Sequence, residues 1–263
     1  MTGNGLAEAT PELAGEIREY ISSAVAAAGC KGAVVGISGG LDSAAVTKLC
    51  ADALGPKRVL NVFMPTSVTP ADDYRLTKEL SRMWGTEYKI TDIQPAVDAF
   101  TGMLFSKVPA PLEKGNISAR CRMVVLYNRA KKANYLVAGT SNRSELMTGY
   151  FTKHGDGASD LAPIAGLYKT QVRQLAAHIG VPREVIDKVP TAGLWEGQTD
   201  EGEMGITYRE LDLILDGLDR SMGDGEISAR SGAPEAKVAE FRARVAKMEH
   251  KRVLPPAPPC PRG

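Results

Sequence analysis

Gly36-Ile37-Ser38-Gly39-Gly40-Leu41-Asp42-Ser43 is the stretch that decides the fold. A short apolar run, Ala33-Val34-Val35, precedes it, and residues 44–54 follow with apolar side chains at helical spacing. The pattern predicts a strand, a tight glycine turn and a helix. The N-terminus of a helix offers unpaired N–H groups and the positive end of a dipole, so this turn suits a phosphate or pyrophosphate.

The spacing of the glycines excludes two common phosphate-binding motifs. No Gly-Lys-Ser/Thr follows the first glycine at the interval that a Walker A loop requires, and Gly39 and Gly40 are adjacent rather than spaced as GxGxxG. Asp42 adds a condition, because a carboxylate beside phosphates is repulsive unless a cation lies between them. Mg²⁺ takes one or two carboxylates together with phosphate oxygens, so the stretch favours a magnesium–nucleotide site.

An ordinary turn between a strand and a helix also contains glycine pairs, so two glycines alone decide nothing. The full Ser-Gly-Gly-x-Asp-Ser string of residues 38–43 is more specific. It resembles the signature of the PP-loop ATP pyrophosphatases, which split ATP between its α and β phosphates and adenylate a carboxylate or carbonyl oxygen.

The chain has 263 residues, enough to bury a sizeable core, and 43% of them are apolar. Lys and Arg total 32 against 31 Asp and Glu, which gives a formal net charge of +1. A nearly neutral chain offers no whole-protein argument for nucleic-acid binding, so we expect no nucleic-acid partner.

The four cysteines form no CxxC pair, so no zinc or redox motif is visible. Cys50 and Cys121 lie in apolar helical patterns and are expected in the core. This cysteine usage, with no signal peptide at the N-terminus, predicts a reducing, cytoplasmic location. No apolar run approaches the length of a membrane span, so we expect no membrane partner.

Strand patterns alternate with helix patterns along the chain, which predicts an α/β fold with a doubly wound parallel sheet in a single domain. The predicted strands are 32–37, 58–64, 86–91 and 135–139. We expect the domain to span residues 10–254, after a flexible N-terminus at 1–9 and before a Pro-rich tail at 255–263. Three further segments are predicted to lack regular structure: a mobile loop (101–115), an irregular stretch (190–205) and a polar connector (219–233).

Ligands of such sheets bind beyond the carboxyl ends of the strands. The loops at 36–43, 140–145 and 149–163 are therefore expected to share one site. The segments at about 65–71 and 190–206 lack regular patterns and contain Gly or Pro, so we expect them to close over that site.

Three more sequence strings indicate which family of PP-loop enzymes the chain resembles. They are residues 115–123 (GNISARCRM), residues 139–160 (beginning GTSNRSE and including GYFTKHGDG) and residues 167–201 (including LYKTQVR, PTAGLW and GQTDE). With the phosphate loop they resemble the NAD⁺ synthetase family, from about residue 12 to about residue 256. The archaeal type is the most similar, with His250-Lys251-Arg252 near the end.

The resemblance implies a Rossmann-like adenine nucleotide alpha hydrolase fold and a two-step reaction. ATP adenylates the nicotinate carboxylate of deamido-NAD and releases pyrophosphate; free ammonia then displaces AMP to give NAD⁺. It also implies Mg²⁺ as cofactor and a homodimer with substrate lying across the interface.

The resemblance assigns residues to each ligand. The ATP contacts are Gly36, Ile37, Ser38, Gly39, Gly40, Leu41, Asp42, Ser43, Thr140, Lys169 and Thr191. The metal ligands are Asp42 and Glu145, and the deamido-NAD contacts are Arg120, Lys153, Asp160, His250 and Lys251. Singly, each residue also fits an ordinary helix cap or a solvated basic face.

Asp156 is our candidate catalytic residue, because of its place in the chain. It lies in the Gly155-Asp156-Gly157 turn, between Lys153 and Asp160, which match substrate contacts. Ammonia is mostly ammonium at neutral pH, so the site must bind the cation and remove a proton, which a carboxylate can do. A plain turn aspartate is the alternative.

Other functions remain open at this point. A related amidating or thiolating PP-loop enzyme is one; GMP synthetases add a C-terminal dimerisation domain, and tRNA thiolation enzymes usually add CxxC pairs and basic domains. A regulatory nucleotide-binding protein without catalysis is another. Glutamine-dependent relatives carry an additional amidase domain, and the first predicted helix here starts near Thr10, so we expect free ammonia or a separate partner to supply nitrogen.

Overall fold

Four parallel strands form the central sheet of the computed structural model, which describes residues 5–195 and 197–258. They are β1 (Gly32–Gly36), β2 (Val59–Phe63), β3 (Glu87–Ile90) and β4 (Tyr135–Ala138), in the order β3-β2-β1-β4. β1 is central, and its Ala33 is in register with Val59 of β2 and Leu136 of β4. Every residue of β2 is buried, as a strand covered on both faces should be.

Helices cover both faces of the sheet. The α-helices are α1 (Pro11–Ala27), α2 (Leu41–Leu54), α3 (Ala71–Trp84), α4 (Gln94–Leu104), α5 (Pro111–Ala133), α6 (Arg143–Thr148), α7 (Lys169–His178), α8 (Arg183–Ile186), α9 (Asp200–Met204), α10 (Tyr208–Asp219), α11 (Asp224–Ser231) and α12 (Glu235–Lys247), with 3₁₀ turns at Pro56–Arg58 and Glu249–Lys251. α1, α2, α3, α7 and α8 pack on one face, and α4 and α5 pack on the other. The doubly wound α/β prediction is therefore confirmed.

A third apolar cluster joins α6 to α10, α11 and α12, and it is centred on the fully buried Phe241. The predicted core cysteines, Cys50 and Cys121, are both buried in the two clusters that flank the sheet. Among the described residues, no helix is long and apolar enough to span a bilayer.

The mobile loop predicted over 101–115 is mostly helical. α4 continues to Leu104, and α5 begins at Pro111, where proline suits the first helical turn. Gly115 is a contact residue rather than a hinge, since a Cβ there would lie 2.8 Å from Leu194 Cδ1. The prediction was wrong because glycine and proline were interpreted as breakers, whereas one starts a helix and the other allows close packing.

Two further segments contain short helices that the pattern did not indicate. α9 lies within the predicted irregular stretch 190–205, and α11 lies within the predicted connector 219–233. α11 has one buried side chain, Ile227, which packs against Gly217 of α10. The contact is so close that a Cβ on Gly217 would lie 2.6 Å from Ile227 Cγ1. A single apolar anchor gives no periodicity, so the sequence could not reveal this helix.

The N-terminal segment is held where it is described. Ala9 is buried and its N–H donates to Gln174 Oε1 (3.0 Å), while Ala7 accepts from Gln171 Nε2 (2.8 Å). Residues 7 and 9 therefore contact α7. The flexibility of the N-terminus stays a prediction, and residues 1–4 lie outside the described residues. The Pro-rich tail has no regular structure over 255–258, and its residues 259–263 are also outside them.

The segment after α6 returns along the edge of the sheet. The Gly139 N–H donates to the Leu161 carbonyl (2.8 Å), and Ala138 and Leu161 form a parallel bridge. Residues 149–158 consequently lie at the carboxyl ends of the strands, beside the loops that follow β1 and β4. Residues of all three loops line one cavity, which confirms that the loops share one site.

Candidate functional site

The phosphate loop joins β1 to α2, and α2 begins directly after Gly40, so Asp42 and Ser43 lie in its first turn. Ser43 Oγ accepts from the Ser38 N–H (3.1 Å) and donates to the Gly40 carbonyl (3.0 Å). Gly39 has a φ of +79°, in the left-handed region that favours glycine. The loop is thus closed on itself by its own serines, at a helix N-terminus that suits an anion.

Lys169 places its ammonium group between two carboxylates from different loops. Its Nζ donates to Asp42 Oδ2 and lies 3.5 Å from Glu145 Oε1. The lysine side chain is only 6% exposed. Lys169 starts α7, and the two carboxylates lie in the first turns of α2 and α6, so three helix N-termini converge on one charge cluster.

Burial and neighbouring charge perturb both ends of this cluster. Desolvation, with help from the Asp42 carboxylate, raises the pKa of Glu145. Burial alone would lower the pKa of Lys169, but Asp42 and Glu145 outweigh it and raise the pKa instead. The lysine therefore stays charged, and two carboxylates share one cation, which leaves room for a further positive charge.

Asp42 and Glu145 fit a magnesium ion that binds together with a nucleotide. Carboxylate oxygens are ligands that Mg²⁺ prefers, and it completes its coordination with water and phosphate oxygens. Within residues 5–195 and 197–258, no group of three or more His, Cys, Asp or Glu side chains forms a metal site by itself. Two carboxylates beside a phosphate loop match that division of ligands.

Asn142 links the two carboxylates. Its Oδ1 caps α6 by accepting from the Glu145 N–H (3.0 Å), and its own N–H donates to Glu145 Oε2 (3.2 Å). Its Nδ2 donates to Asp42 Oδ1 (3.1 Å), and the side chain is fully buried. The sequence indicated a helix cap here, but not this second contact.

Asp212 of α10 positions the residues next to the charge cluster. Its Oδ2 accepts from the Thr170 N–H (2.8 Å) and hydroxyl (2.7 Å), and its Oδ1 accepts from Ser144 Oγ. Ser144 Oγ in turn accepts from the Lys169 N–H (2.9 Å). Asp212 is fully buried, and desolvation raises its pKa despite these donors. One carboxylate therefore fixes the start of α7 against α6.

A cavity of about 500 Å³ extends from the phosphate loop to the segment 149–158. Asp156 opens onto it, with Oδ1 accepting from the Thr152 N–H (2.8 Å). The residue is exposed to solvent. Desolvation nevertheless raises the pKa of its carboxyl group, while its backbone hydrogen bonds, Arg122 and Lys251 act in the opposite direction. The candidate catalytic carboxylate thus shares a cavity with Asp42.

Asp200 lines another part of the cavity wall, and the buried Tyr208 contacts it. Tyr208 Oη donates to Asp200 Oδ2 (3.0 Å), and its ring centroid lies 5.3 Å from the Lys169 ammonium. Asp200 Oδ1 is buried without a hydrogen-bond partner, and desolvation raises the pKa of this carboxyl group. Asp200 belongs to the GQTDE string, but sequence reasoning gave it no role.

Four predicted substrate residues lie together beside the cavity. Lys153 Nζ donates to the His250 carbonyl (2.5 Å), and Arg120 Nη2 donates to the Lys153 carbonyl (3.3 Å). Lys251 Nζ donates to the carbonyls of Gly149 and Phe151, each at 2.6 Å. Of these four, Lys251 lines the cavity, while the other three lie outside its lining.

The other residues that the resemblance assigns to ligands also divide into those that line the cavity and those that do not. Thr140 and Thr191 line the cavity, and Thr191 Oγ1 accepts from the Gly193 N–H (3.0 Å). Asp160 lies outside the cavity lining, and its Oδ2 accepts from the Val137 N–H (2.8 Å) in β4. A structural role for Asp160 is therefore visible, and its contact with substrate stays a prediction.

Asp212 and Asp216 permit a matched comparison, because they lie one turn apart on α10. Asp216 pairs with Arg230 away from the cavity lining. Each Asp→Asn change removes a charged acceptor at a buried site, so both should lower the free energy of unfolding by about 1–3 kcal/mol. Only Asp212→Asn should disturb Lys169, with kcat/KM for ATP in ATP–pyrophosphate exchange falling about tenfold or more. Equal exchange kinetics in the two variants would contradict a positioning role.

Comparison with known proteins gives consistent results. The family model described as NAD synthase matches residues 13–255. A protein of Methanocaldococcus jannaschii described as NH(3)-dependent NAD(+) synthetase is 43% identical, over 95% of this chain and 98% of its own length.

Two solved structures share the fold. An NMN synthetase from Francisella tularensis has a TM-score of 0.83 and 36% identity, covering 94% of this chain and 97% of its own. An NH3-dependent NAD synthetase from Campylobacter jejuni has a TM-score of 0.79 and 30% identity, covering 94% and 98%. Because the family model and these relatives match nearly the whole chain, the protein belongs to the NAD synthase family.

Proposed function

We propose that this protein is an ammonia-dependent NAD⁺ synthetase, which amidates deamido-NAD at the expense of ATP and releases AMP and pyrophosphate. The observation that carries the proposal is the Lys169 ammonium shared by Asp42 and Glu145 at the end of the phosphate loop. Two largely buried carboxylates beside the phosphate site are costly to desolvate, which favours a catalytic over a purely regulatory role.

In the first step, an oxygen of the nicotinate carboxylate attacks the α-phosphorus of ATP. The bond between the α-phosphorus and the bridging oxygen breaks, and pyrophosphate leaves. The phosphate loop, residues 36–43, holds the triphosphate, with Thr140, Lys169 and Thr191 as further ATP contacts. A lysine ammonium suits phosphate oxygens because it is a compact point charge on a flexible stem.

Asp42 and Glu145 would hold Mg²⁺. When bound, this ion neutralises charge on the triphosphate and on the departing pyrophosphate. The chain's own contribution is the placement of the two carboxylates, which Asn142 and Lys169 orient in the ligand-free protein.

In the second step, ammonia attacks the acyl carbon, AMP leaves with the electron pair of the broken carbon–oxygen bond, and the nitrogen loses one proton to the departing phosphate or to water. Asp156 binds ammonium and accepts one of its protons, so that the neutral nucleophile forms inside the cavity. Its place beside Arg122 and Lys251, in the same cavity as the phosphate loop, supports this role.

The five predicted deamido-NAD contacts remain part of the proposal. Arg120, Lys153 and Lys251 concentrate positive charge beside the cavity, with His250 next to them, which suits the diphosphate of a dinucleotide. Desolvation, with help from Arg244 and Arg120, lowers the pKa of Lys251. An incoming diphosphate would relieve this crowding of cations. The cytoplasmic location stays a prediction.

We also propose a homodimer, as the family resemblance implies. The end of α4, the start of α5 and their connection expose five apolar side chains: Phe100, Met103, Leu104, Val108 and Leu112. Such a patch favours burial against a second copy. Sedimentation should give twice the chain mass of 28.0 kDa. The double variant Met103→Asp, Val108→Asp should be monomeric. Met83 is also an exposed apolar residue but lies on α3, so the control variant Met83→Asp should remain dimeric. A wild-type protein that is monomeric at micromolar concentration would refute the dimer.

A second substrate is favoured by the similarity to a protein described as NMN synthetase. NMN lacks the adenylate half of NAD⁺, so its acid precursor offers the same nicotinate carboxylate with fewer contacts. Deamido-NAD and nicotinic acid mononucleotide should therefore be compared in one assay, and we expect deamido-NAD to give the higher kcat/KM.

The test of the proposed function is production of NAD⁺ and pyrophosphate from deamido-NAD, ATP, Mg²⁺ and ammonium. Asp42→Asn and Glu145→Gln should each reduce ATP–pyrophosphate exchange about a hundredfold or more, because phosphate charge is then less well neutralised. Circular dichroism should show an intact fold in both. Normal exchange in both variants would remove the metal assignment.

Asp156→Asn separates the two half-reactions. This variant should release pyrophosphate normally but form NAD⁺ slowly at neutral pH and limiting ammonium. Raising the pH should partly restore NAD⁺ formation, because free ammonia becomes more abundant and needs no base. Parallel assays of pyrophosphate and NAD⁺ check this expectation, and an unchanged NAD⁺ yield under limiting ammonium would exclude Asp156 from the mechanism.

A further inference from the structure

Lys188 and Asp73 form an ion pair in the lining of the same cavity, and the mechanism above uses neither residue. Lys188 Nζ donates to Asp73 Oδ1, with the two side chains 27% and 14% exposed. Asp73 lies in the first turn of α3, directly after segment 65–70, and Lys188 directly precedes segment 189–195. The pair therefore joins two segments that both contribute to the cavity wall.

Asp73 lies directly against the phosphate loop. A Cβ on Gly39 would be 3.3 Å from Asp73 Oδ1 and 3.6 Å from Asp73 Cα. A carboxylate this close to a bound triphosphate would repel it, unless a cation compensates the charge. Lys188 is the ammonium that the structure places on this carboxylate.

The charges near the loop indicate a need for a second lysine. With Asp42 and Glu145 subtracted, Lys169 and a bound Mg²⁺ leave one net positive charge, which does not offset the negative charge of a triphosphate. Lys188 lines the same cavity, and an ammonium has three donors, so it can contact Asp73 and a phosphate oxygen together.

We propose that Lys188 is a further phosphate-binding residue, and that Asp73 holds its ammonium at the phosphate loop. This inference rests on the proposed ATP-dependent function and adds a contact to that site. The competing explanation is that Lys188 only neutralises Asp73. In that case, loss of Lys188 harms ATP binding solely because an unpaired carboxylate remains, and removal of that carboxylate should cancel the harm.

The deciding comparison is Lys188→Met in the Asp73→Asn background. Titration calorimetry with ATP and Mg²⁺ should show about tenfold weaker binding for the double variant than for Asp73→Asn alone. Lys188→Arg should retain most of the affinity. Binding of AMP, which lacks the two outer phosphates, should be unchanged by Lys188→Met. Equal ATP affinity of Asp73→Asn and the double variant would overturn the proposal.

Matched controls come from α8. Arg183, at the start of α8, and Asp187, the cap residue after its end, form an exposed pair, so Arg183→Met and Asp187→Asn should leave ATP affinity unchanged. Unfolding temperatures of all variants exclude a general loss of fold. If the wild type binds no ATP, the proposed function itself fails; if it binds ATP and forms NAD⁺ while the deciding comparison shows no difference, the Lys188 assignment alone fails.

Discussion

One ammonium group, that of Lys169, determines how the site is assembled. It is almost completely buried and compensates two carboxylates that come from separate helices. Removing one partner of a buried ion pair typically costs about 3–5 kcal/mol, since an uncompensated charge remains. The starts of α2, α6 and α7 are therefore held at fixed separations by electrostatics as much as by packing. The apolar clusters bring the helices close, and the charges set their final register.

The arrangement of charges in this site is a compromise. Desolvation, together with the Asp42 carboxylate, leaves Glu145 with a raised pKa, and Asp200 has a buried oxygen without a hydrogen-bond partner. Such groups lower stability, and natural proteins retain them where function requires it. A ligand that brings a cation to these oxygens binds only the folded chain and so raises its stability. Nucleotide binding and folding are consequently linked through the same few atoms.

Periodicity and turn chemistry predicted the four strands, their alternation with helices along the chain and the loops of the shared site, because those features depend on local sequence. β2 is a continuous apolar run, and the loop before α2 carries its own glycines and serines. α11 was not predictable, because a single buried side chain, Ile227, packs it against Gly217 of the preceding helix, and one apolar position gives no periodicity. Asp212 and Lys188 were missed for a different reason. Nothing in their neighbours indicates that they contact residues far away in the chain.

The local pattern can also be correct and still hide a role, as at Asn142. Ser, Thr, Asp and Asn all serve as helix N-caps, so the position looks permissive by capping alone. The same side chain must accept from the Glu145 N–H and donate to Asp42. The carboxylate of an aspartate would repel Asp42, and the side chain of a serine or threonine is too short to reach both partners. Only a primary amide carries an acceptor and a donor on one rigid plane. Asn142 thus contacts both anionic groups, Asp42 through its side-chain amide and the Glu145 carboxylate through its backbone N–H. A cap position that tolerates four residue types therefore becomes specific for one.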